Sequence, residues 1–242
     1  EPNASLFATR KACEPLHIML NQTNNHVEVI NALPDARQNL RVRMRVLDLD
    51  STVAADTTRD ASAAPLKATD LGELTIPPGV TPVHFIKLEL LDAAGRVLSD
   101  NFYWRTNVTI QPPPPPTQPA ATGPARPRGR GRPAPQPQED FTDLQKLPPT
   151  KIDVSLQRRD NNGRSLVTAT LRNSGTSVSL ATHIQLCKAG ASGDDGRVLP
   201  VYYSDNYVSL LPGETRRIEM EVATDNLGIG TPVVRVDGWN VR

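Results

Sequence analysis

Runs in which every second residue is apolar recur along both halves of the chain. In the first half, Leu40, Val42, Met44 and Val46 alternate with Arg41, Arg43 and Arg45, and Ile86, Leu88 and Leu90 alternate with Lys87 and Glu89. A period of two is typical of a β-strand with one buried face and one solvated face. We therefore expect two strands here, with Lys87, Glu89 and the three arginines on solvated faces.

Turn residues separate these strands. Asp92–Gly95 follows the second run, and the chain returns as "RVLSDNFYW" from Arg96 to Trp104, which predicts a β-hairpin. The stretch "TIPPGVTP", Thr75–Pro82, contains three prolines and a glycine, so no helix can cross it. "SLFATRKAC", Ser5–Cys13, is the segment that reads as a helix, and Pro15 limits its extent.

The second half repeats the strand pattern. Its alternating apolar sets are Ile152, Val154 and Leu156; Val167, Ala169 and Leu171; Ile184 and Leu186; Ile218, Met220 and Val222; and Val234 and Val236. Asn173–Gly175 marks a turn after the second set. Short alternating strands with turns at regular intervals predict an antiparallel β-sandwich. The chain is thus predicted to be all-β, with two sandwich domains.

A proline-rich tract lies between the halves. Gln111–Gln138 reads QPPPPPTQPAATGPARPRGRGRPAPQPQ and has almost no large apolar residue. Such a segment cannot bury enough surface to offset the entropy of ordering, so we predict a Pro/Arg-rich disordered linker over residues 107–146. Its "RPRGRGR" run, Arg126–Arg132, resembles RNA-binding segments but lacks interleaved aromatic residues, and we favour a spacer over a nucleic-acid site.

One phrase occurs twice. "RVLSDNFYW" is echoed by "RVLPVYYSDNYVSL", Arg197–Leu210, after the Asp195-Gly196 turn. We expect equivalent strands in the two domains, with Asp100 and Asp205 accepting backbone hydrogen bonds at a bend. Tyr207 should be largely buried, with its hydroxyl bonded near the "LLPGE" turn as in a tyrosine corner.

Candidate chemistry is sparse. Cys13 and Cys187 are far apart, and the four histidines show no metal-ligand spacing. No nucleophile elbow, phosphate loop or dinucleotide fingerprint is present, and Glu219 and Glu221 alternate toward solvent. A formal net charge of +1 gives no reason to expect nucleic acid or an anionic membrane as partner. We therefore predict no catalytic, cofactor or metal residues.

Aromatic residues offer one further kind of site. Trp104, Tyr202 and Trp239 are candidate carbohydrate contacts, because exposed aromatic rings stack on sugar rings. The alternative is that the two tryptophans belong to the core, where large aromatic side chains usually lie. The sequence favours the core for tryptophan and leaves the carbohydrate role open.

Six stretches match one known family. In the first half they are "KACEPLHIMLN" (Lys11–Asn21), "HVEVIN" (His26–Asn31) and "SDNFYW" (Ser99–Trp104). In the second half they are "LPPTKIDV" (Leu147–Val154), "VLPVYYSDNYVSLLPGE" (Val198–Glu214) and "GWN" (Gly238–Asn240). These stretches resemble glycoside hydrolase family two, in particular its plant mannosylglycoprotein endo-β-mannosidases and its exo-β-D-glucosaminidases. The chain departs from the family between Arg105 and Asp140, where the Pro/Arg tract lies.

The resemblance implies immunoglobulin-like sandwiches behind a TIM barrel in a retaining glycosidase that acts on β-mannosides or β-glucosaminides. The catalytic glutamates of the family lie in the barrel, one of them in an Asn-Glu pair, and this sequence has no Asn-Glu dipeptide. We therefore expect a non-catalytic, C-terminal accessory region that is inactive by itself, whose partner is the catalytic TIM barrel of the same polypeptide.

The expected boundaries are 1–14 for the tail of that barrel, 15–106 for the first sandwich, 107–146 for the linker and 147–242 for the second sandwich. We expect a secreted, periplasmic or vacuolar location rather than a cytoplasmic one. The alternative function is a free-standing carbohydrate-binding or adhesive β-sandwich protein, with an oligosaccharide as partner.

Overall fold

The computed structural model describes residues 2–111, 137–190, 196–228 and 230–242. Most of the predicted linker, including Arg126–Arg132, lies outside the described residues, as does Asp195 of the second predicted turn. No helix within the described ranges combines the length and apolarity that crossing a bilayer requires.

The first sandwich has a three-stranded and a four-stranded antiparallel sheet. The smaller sheet has the order β1 (Leu16–Asn21), β2 (His26–Asn31), β5 (Lys67–Glu73). The larger has the order β4 (Val53–Ala63), β3 (Arg37–Asp48), β6 (Val83–Leu91), β7 (Val97–Thr106). The predicted strand and hairpin are confirmed, since Leu40, Val42, Met44 and Val46 are buried and β6 pairs with β7.

The second sandwich repeats this arrangement. Its four-stranded sheet has the order β10 (Ile152–Asn161), β11 (Arg164–Asn173), β15 (Thr215–Ala223), β13 (Tyr202–Tyr203). Its three-stranded sheet has the order β14 (Val208–Leu210), β12 (Ser179–Cys187), β16 (Val233–Asp237). The predicted all-β class with two sandwich domains is confirmed. A short helix, α2 (Thr224–Leu227), follows β15.

The N-terminal segment forms the predicted helix. Helix α1 spans Ala4–Ala12, and the side chain of Asn3 caps it by accepting a hydrogen bond from the Leu6 N–H. Phe7 is its buried residue and joins the apolar core of the second sandwich, not of the first. Arg10 donates to the carbonyl oxygens of Tyr203, at 2.9 Å, and Ser204. The chain therefore places its first helix against its last domain.

The described ends of the predicted linker are ordered. Strands β8 (Thr109–Ile110) and β9 (Gln138–Glu139) pair with each other, and a 3-10 helix spans Thr142–Lys146. Leu144 and Leu147 are buried, and the indole N–H of Trp239 donates to the Leu144 carbonyl at 3.0 Å. The tract thus leaves and re-enters the fold at adjacent points.

An apolar cluster joins the two sandwiches. It contains Leu47, Val83 and Phe85 of the first sandwich, Leu144 and Leu147 after the linker, and Val178, Leu180 and Leu211 of the second. The Val178 N–H also donates to the Ser51 hydroxyl at 2.7 Å across the junction. The domains therefore share a core where the sequence predicted two units separated by a spacer.

This junction corrects one prediction about strand β6. Lys87 was placed on a solvated face, yet its side chain is 1% exposed. Val83 and Phe85 are in phase with Lys87 along β6, and both belong to the interdomain cluster. The outer face of β6 is buried because the second domain covers it.

The repeated phrase does not form equivalent strands. In the first domain it is the continuous strand β7. In the second it is divided between β13 and β14, which belong to different sheets, and the Leu199-Pro200 peptide before them is cis. The prediction of equivalent strands is therefore wrong.

The tyrosine prediction was also placed on the wrong residue. Tyr207 is only partly buried, and its ring stacks on His183 with centroids 4.5 Å apart. Tyr203 is the buried tyrosine, and its hydroxyl oxygen accepts the Leu186 N–H at 3.0 Å from the opposite sheet. In the first sandwich the Tyr103 hydroxyl oxygen accepts the Leu20 N–H, also at 3.0 Å. Each sandwich thus has one tyrosine that ties its two sheets together.

Candidate interdomain site

The three predicted carbohydrate contacts lie on separate elements. Trp104 is on β7, Tyr202 is on β13, and Trp239 follows β16. All three are exposed, with 45%, 69% and 59% of their surface accessible, so the alternative of core tryptophans is not what the structure shows. Trp104 borders a cavity at the domain junction, and Tyr202 and Trp239 are not among the residues that line this cavity.

A buried carboxylate is the centre of this junction. Asp100 of β7 accepts hydrogen bonds from Lys87 of β6 at 2.6 Å and from Lys11 of α1 at 2.8 Å. Arg216 of β15, in the second domain, donates to both oxygens of the same carboxylate. One side chain therefore connects the first sandwich, the N-terminal helix and the second sandwich. We call Asp100, Lys87, Lys11 and Arg216 the junction cluster.

Electrostatics keep the junction cluster ionised. Burial disfavours the carboxylate of Asp100, but the charges of Lys87, Arg216 and Lys11 outweigh burial, and its pKa lies far below the ordinary range. Burial likewise lowers the pKa of Arg216, while the charge of Asp100 and the hydrogen bonds to it more than compensate and raise that pKa. At neutral pH the cluster is therefore a set of paired charges inside the protein.

The cluster extends to turns on both sides. Lys87 also donates to Glu214 at 3.1 Å, and the other carboxylate oxygen of Glu214 accepts the Leu211 N–H at 2.9 Å within the "LLPGE" turn. On the first domain, Glu14 binds Lys11 at 3.0 Å and accepts the Ser99 hydroxyl at 2.7 Å. These contacts hold the lysines in place because each Nζ has more than one acceptor.

The predicted backbone hydrogen bond is found for Asp205 but not for Asp100, the other "SDN" aspartate. Asp100 accepts side-chain cations rather than the backbone hydrogen bonds expected at a bend. Asp205 accepts the Asn206 N–H at 2.9 Å, and its second oxygen lies 3.8 Å from Arg216. The repeated phrase therefore brings two aspartates to one arginine, an arrangement that only the folded chain reveals.

The second aspartate has the opposite pKa shift. Burial raises the pKa of Asp205, and the Asp100 charge raises it further, against the lowering effect of Arg216, the Asn206 N–H and Lys11. The Arg216 guanidinium is bound to both oxygens of Asp100 and lies 3.8 Å from Asp205. Two carboxyl groups with opposite pKa shifts thus flank one guanidinium.

The acid and the nucleophile of glycosidases also have opposite pKa shifts, as Asp100 and Asp205 do in this chain. The side chain of Asp100 is 7% exposed and is bound by three cations, which leaves it unable to approach a sugar carbon. Within the described ranges no group of three histidine, cysteine, aspartate or glutamate residues is placed to hold a metal ion. The geometry supports a structural role for the cluster.

Both domains match known families of domains. Residues 23–108 match the Mannosidase Ig/CBM-like domain, and residues 133–241 match the Exo-beta-D-glucosaminidase Ig-fold domain. The chain is 29% identical to an exo-beta-D-glucosaminidase of Streptomyces avermitilis, over 99% of this chain and 26% of that protein. It is 26% identical to a mannosylglycoprotein endo-beta-mannosidase of Lilium longiflorum, over 99% of this chain and 28% of that protein.

Solved structures show the same architecture. The exo-chitosanase of Amycolatopsis orientalis superposes over 100% of this chain and 27% of its own, with a TM-score of 0.81 and 25% identity. A β-D-mannosidase of Dictyoglomus thermophilum shares the fold, with a TM-score of 0.63 and 11% identity. The chain therefore spans about a quarter of the length of the relatives that it matches.

Proposed function

The chain belongs to the Ig-fold domains of the exo-β-D-glucosaminidase and mannosidase branch of glycoside hydrolase family two, as its accessory region, and we propose that it buttresses the catalytic TIM barrel of the same polypeptide. In this proposal, the full-length parent protein is a retaining glycosidase that hydrolyses O-glycosyl bonds of β-mannosides or β-glucosaminides. Residues 15–106 and 147–242 are its two sandwiches, residues 107–146 its linker, and residues 1–14 the end of the barrel.

The junction cluster is the observation that carries this proposal. Three cations from three elements converge on Asp100, whose side chain is 7% exposed. Removing one partner of such a buried group leaves an uncompensated charge, so the arrangement of the elements is held strongly. Because the two sandwiches and α1 are fixed to one another, a domain attached through α1 has a rigid body to rest against.

Two experiments test the accessory role. The chain alone should not hydrolyse a chromogenic β-glucosaminide or β-mannoside. Hydrolysis that disappears when one of its own acidic residues is replaced would contradict the proposal. In the polypeptide encoded by the complete gene, deletion of residues 15–242 should lower the temperature at which activity is lost. An unchanged temperature would contradict buttressing.

Exposed aromatic residues favour the second candidate, a free-standing carbohydrate-binding or adhesive protein. Trp104, Tyr202 and Trp239 are all exposed, as side chains of a sugar-binding surface would be. Titration calorimetry of this chain with chitosan fragments and manno-oligosaccharides separates the candidates, together with the sequence of the gene before Glu1. Oligosaccharide binding and a gene without a barrel would favour this second function. Nucleic acid and membrane are not partners in either proposal.

A further inference from the structure

Three motifs of the form Asn-X-Ser/Thr, in which X is not proline, occur in the sequence. They are Asn3-Ala4-Ser5, Asn21-Gln22-Thr23 and Asn107-Val108-Thr109. In proteins that enter the secretory pathway this motif is the acceptor of N-linked glycans, which are bulky and lie on the protein surface. Because a secreted or vacuolar location is expected for this chain, the fold can be used to compare the three motifs as sites of modification.

The Asn21 motif is bound into a turn. The Nδ2 atom of Asn21, to which a glycan would be joined, donates to Glu28 at 3.0 Å, and its Oδ1 accepts the Thr23 N–H at 3.1 Å. Gln22, in the middle of the motif, accepts a hydrogen bond from Arg105 at 2.9 Å. Asn21 is also partly buried. A glycan on Asn21 would therefore compete with contacts that hold the connection between β1 and β2.

The Asn3 motif is part of a helix cap. The Oδ1 atom of Asn3 accepts the Leu6 N–H at 3.3 Å and the Ser5 hydroxyl at 2.8 Å. The two polar side chains of the motif are thus bonded to each other, in the orientation that caps the first turn of α1. The carboxamide of Asn3 is therefore not free to turn outward.

The Asn107 motif has a fixed backbone and free side chains. The Asn107 N–H donates to the Pro82 carbonyl at 3.1 Å, and the Val108 carbonyl accepts the Asp140 N–H at 2.9 Å. Asn107 and Thr109 are both exposed. Within the described ranges the carboxamide of Asn107 makes no hydrogen bond to another residue. Its Nδ2 can therefore carry a large group into solvent without breaking a contact of the fold.

We propose that Asn107 carries an N-linked glycan. The transfer forms a bond from Nδ2 to the anomeric carbon of an oligosaccharide and breaks the bond from that carbon to the diphosphate of a lipid-linked donor. The lipid diphosphate leaves, and Nδ2 gives up one of its two protons. The glycan would stand at the end of β7, beside the β8–β9 ladder. This face of the first sandwich would then stay in solvent in the full-length protein.

The experiment uses the whole chain, secreted from insect cells behind a cleavable signal sequence. The secreted protein should shift on a gel when peptide:N-glycosidase removes its glycan. That enzyme converts the glycosylated asparagine to aspartate, so mass spectrometry of peptides in heavy-oxygen water should place the label on Asn107.

Matched variants identify the motif. Asn107→Gln and Thr109→Ala should each abolish the Asn107 glycan, whereas Thr109→Ser preserves the motif and should keep it. Ser5→Ala and Thr23→Ala destroy the other two motifs and should leave the gel shift unchanged. Because Thr109 is exposed, its variants should fold, and thermal melts of the secreted proteins verify this.

The proposal is overturned if folded, secreted protein has no glycan on Asn107, or if Asn3 or Asn21 is occupied to a greater extent. Loss of the glycan in Thr109→Ser together with its retention in Thr109→Ala would also contradict it. These measurements detect a modification of the chain itself, so their outcome is independent of the hydrolysis assays that test the accessory role.

Discussion

Asp100 and Asp205 are the same residue type beside the same arginine, yet they should respond to pH in opposite directions. The pKa of Asp100 is lowered in the folded protein, so its stabilising effect is fully present above the unfolded pKa of about 3.9 and is lost progressively as pH falls from there through the much lower folded pKa. The pKa of Asp205 is raised, so burying its charge opposes folding at neutral pH, and this cost disappears as pH falls through the folded pKa.

Asp100→Asn should therefore lower the free energy of unfolding at pH 7 by about 3–5 kcal/mol, because the buried Lys87 and the partly buried Lys11 and Arg216 lose the carboxylate that they share. Asp205→Asn should leave that free energy equal or higher. Urea denaturation of both variants at pH 7 and pH 3 measures the difference, and the deficit of Asp100→Asn should shrink at pH 3. A larger loss of stability in Asp205→Asn than in Asp100→Asn would contradict this assignment.

Lys87 should be essential for the stability of the folded protein, because it is a buried lysine of the junction cluster. Lys87→Met leaves Glu214 without its buried cation and removes one of the three partners of Asp100, so we expect a loss of about 3–5 kcal/mol. Lys151→Met is the matched control, because the Lys151 side chain is 75% exposed and its ion pair with Asp153 is screened by solvent and should contribute little to stability. Chemical denaturation compares the two, and equal effects would show that the junction cluster is not important for stability.

At the level of elements, α1 should depend on the second sandwich. Phe7 is 5% exposed within the core of that domain, so Phe7→Ala should cost about 3 kcal/mol and should release the helix. Leu6→Ala is the control, because Leu6 is 52% exposed. Amide hydrogen exchange across Ala4–Ala12 should become fast in Phe7→Ala and stay slow in Leu6→Ala. Fast exchange in the wild type would mean that α1 does not pack as described.

The alternation of apolar and polar residues predicted the strands correctly. It predicted the wrong environment for the outer face of β6. Leu88 and Leu90 were correctly placed in the core of the first sandwich, because period two identifies an apolar face. A period of two does not show whether the opposite face is exposed to solvent or packs against another domain. Phe85 lay in phase with Lys87 and was the available signal that the outer face of β6 is covered. Two of the three partners of Asp100, Lys11 and Arg216, are 89 and 116 residues away along the chain, so no local pattern reveals them.

Tyr207 shows why the repeated phrase misled. The similar sequences of the two segments predicted similar strands. However, Tyr207 has a positive φ of 54°, a conformation that few aromatic residues adopt. Tyr203 and Tyr103 also lie within the two copies of the phrase, and they have the role of joining two sheets, which the sequence did not predict for them.

For the molecule as a whole, we expect one unfolding transition. The two sandwiches share an apolar cluster and an ion cluster, so neither can unfold without exposing part of the other. Scanning calorimetry should give one peak whose calorimetric and van't Hoff enthalpies agree. The sequence alone predicted two separate sandwich domains joined by a disordered linker. Two resolved peaks in the wild type would restore that view.

Replacing residues 112–136 by a Gly/Ser segment of equal length should leave the melting temperature almost unchanged. The substituted segment has no large apolar side chain, whereas the β8–β9 ladder and the buried Leu144 and Leu147 are kept. Differential scanning fluorimetry is sufficient to compare the two proteins. A drop of several degrees would show that the proline tract packs on a sandwich.

The β8–β9 ladder has a consequence for how this polypeptide can change over evolutionary time. Thr109 is paired directly with Glu139, so the proline tract begins and ends at neighbouring positions. Its length therefore does not set the distance between the domains. Doubling such a loop adds only about 0.6 kcal/mol of closure entropy, so insertions and deletions there are nearly neutral. Cleavage inside it would nick the chain without separating the halves, and a reporter protein could be inserted there.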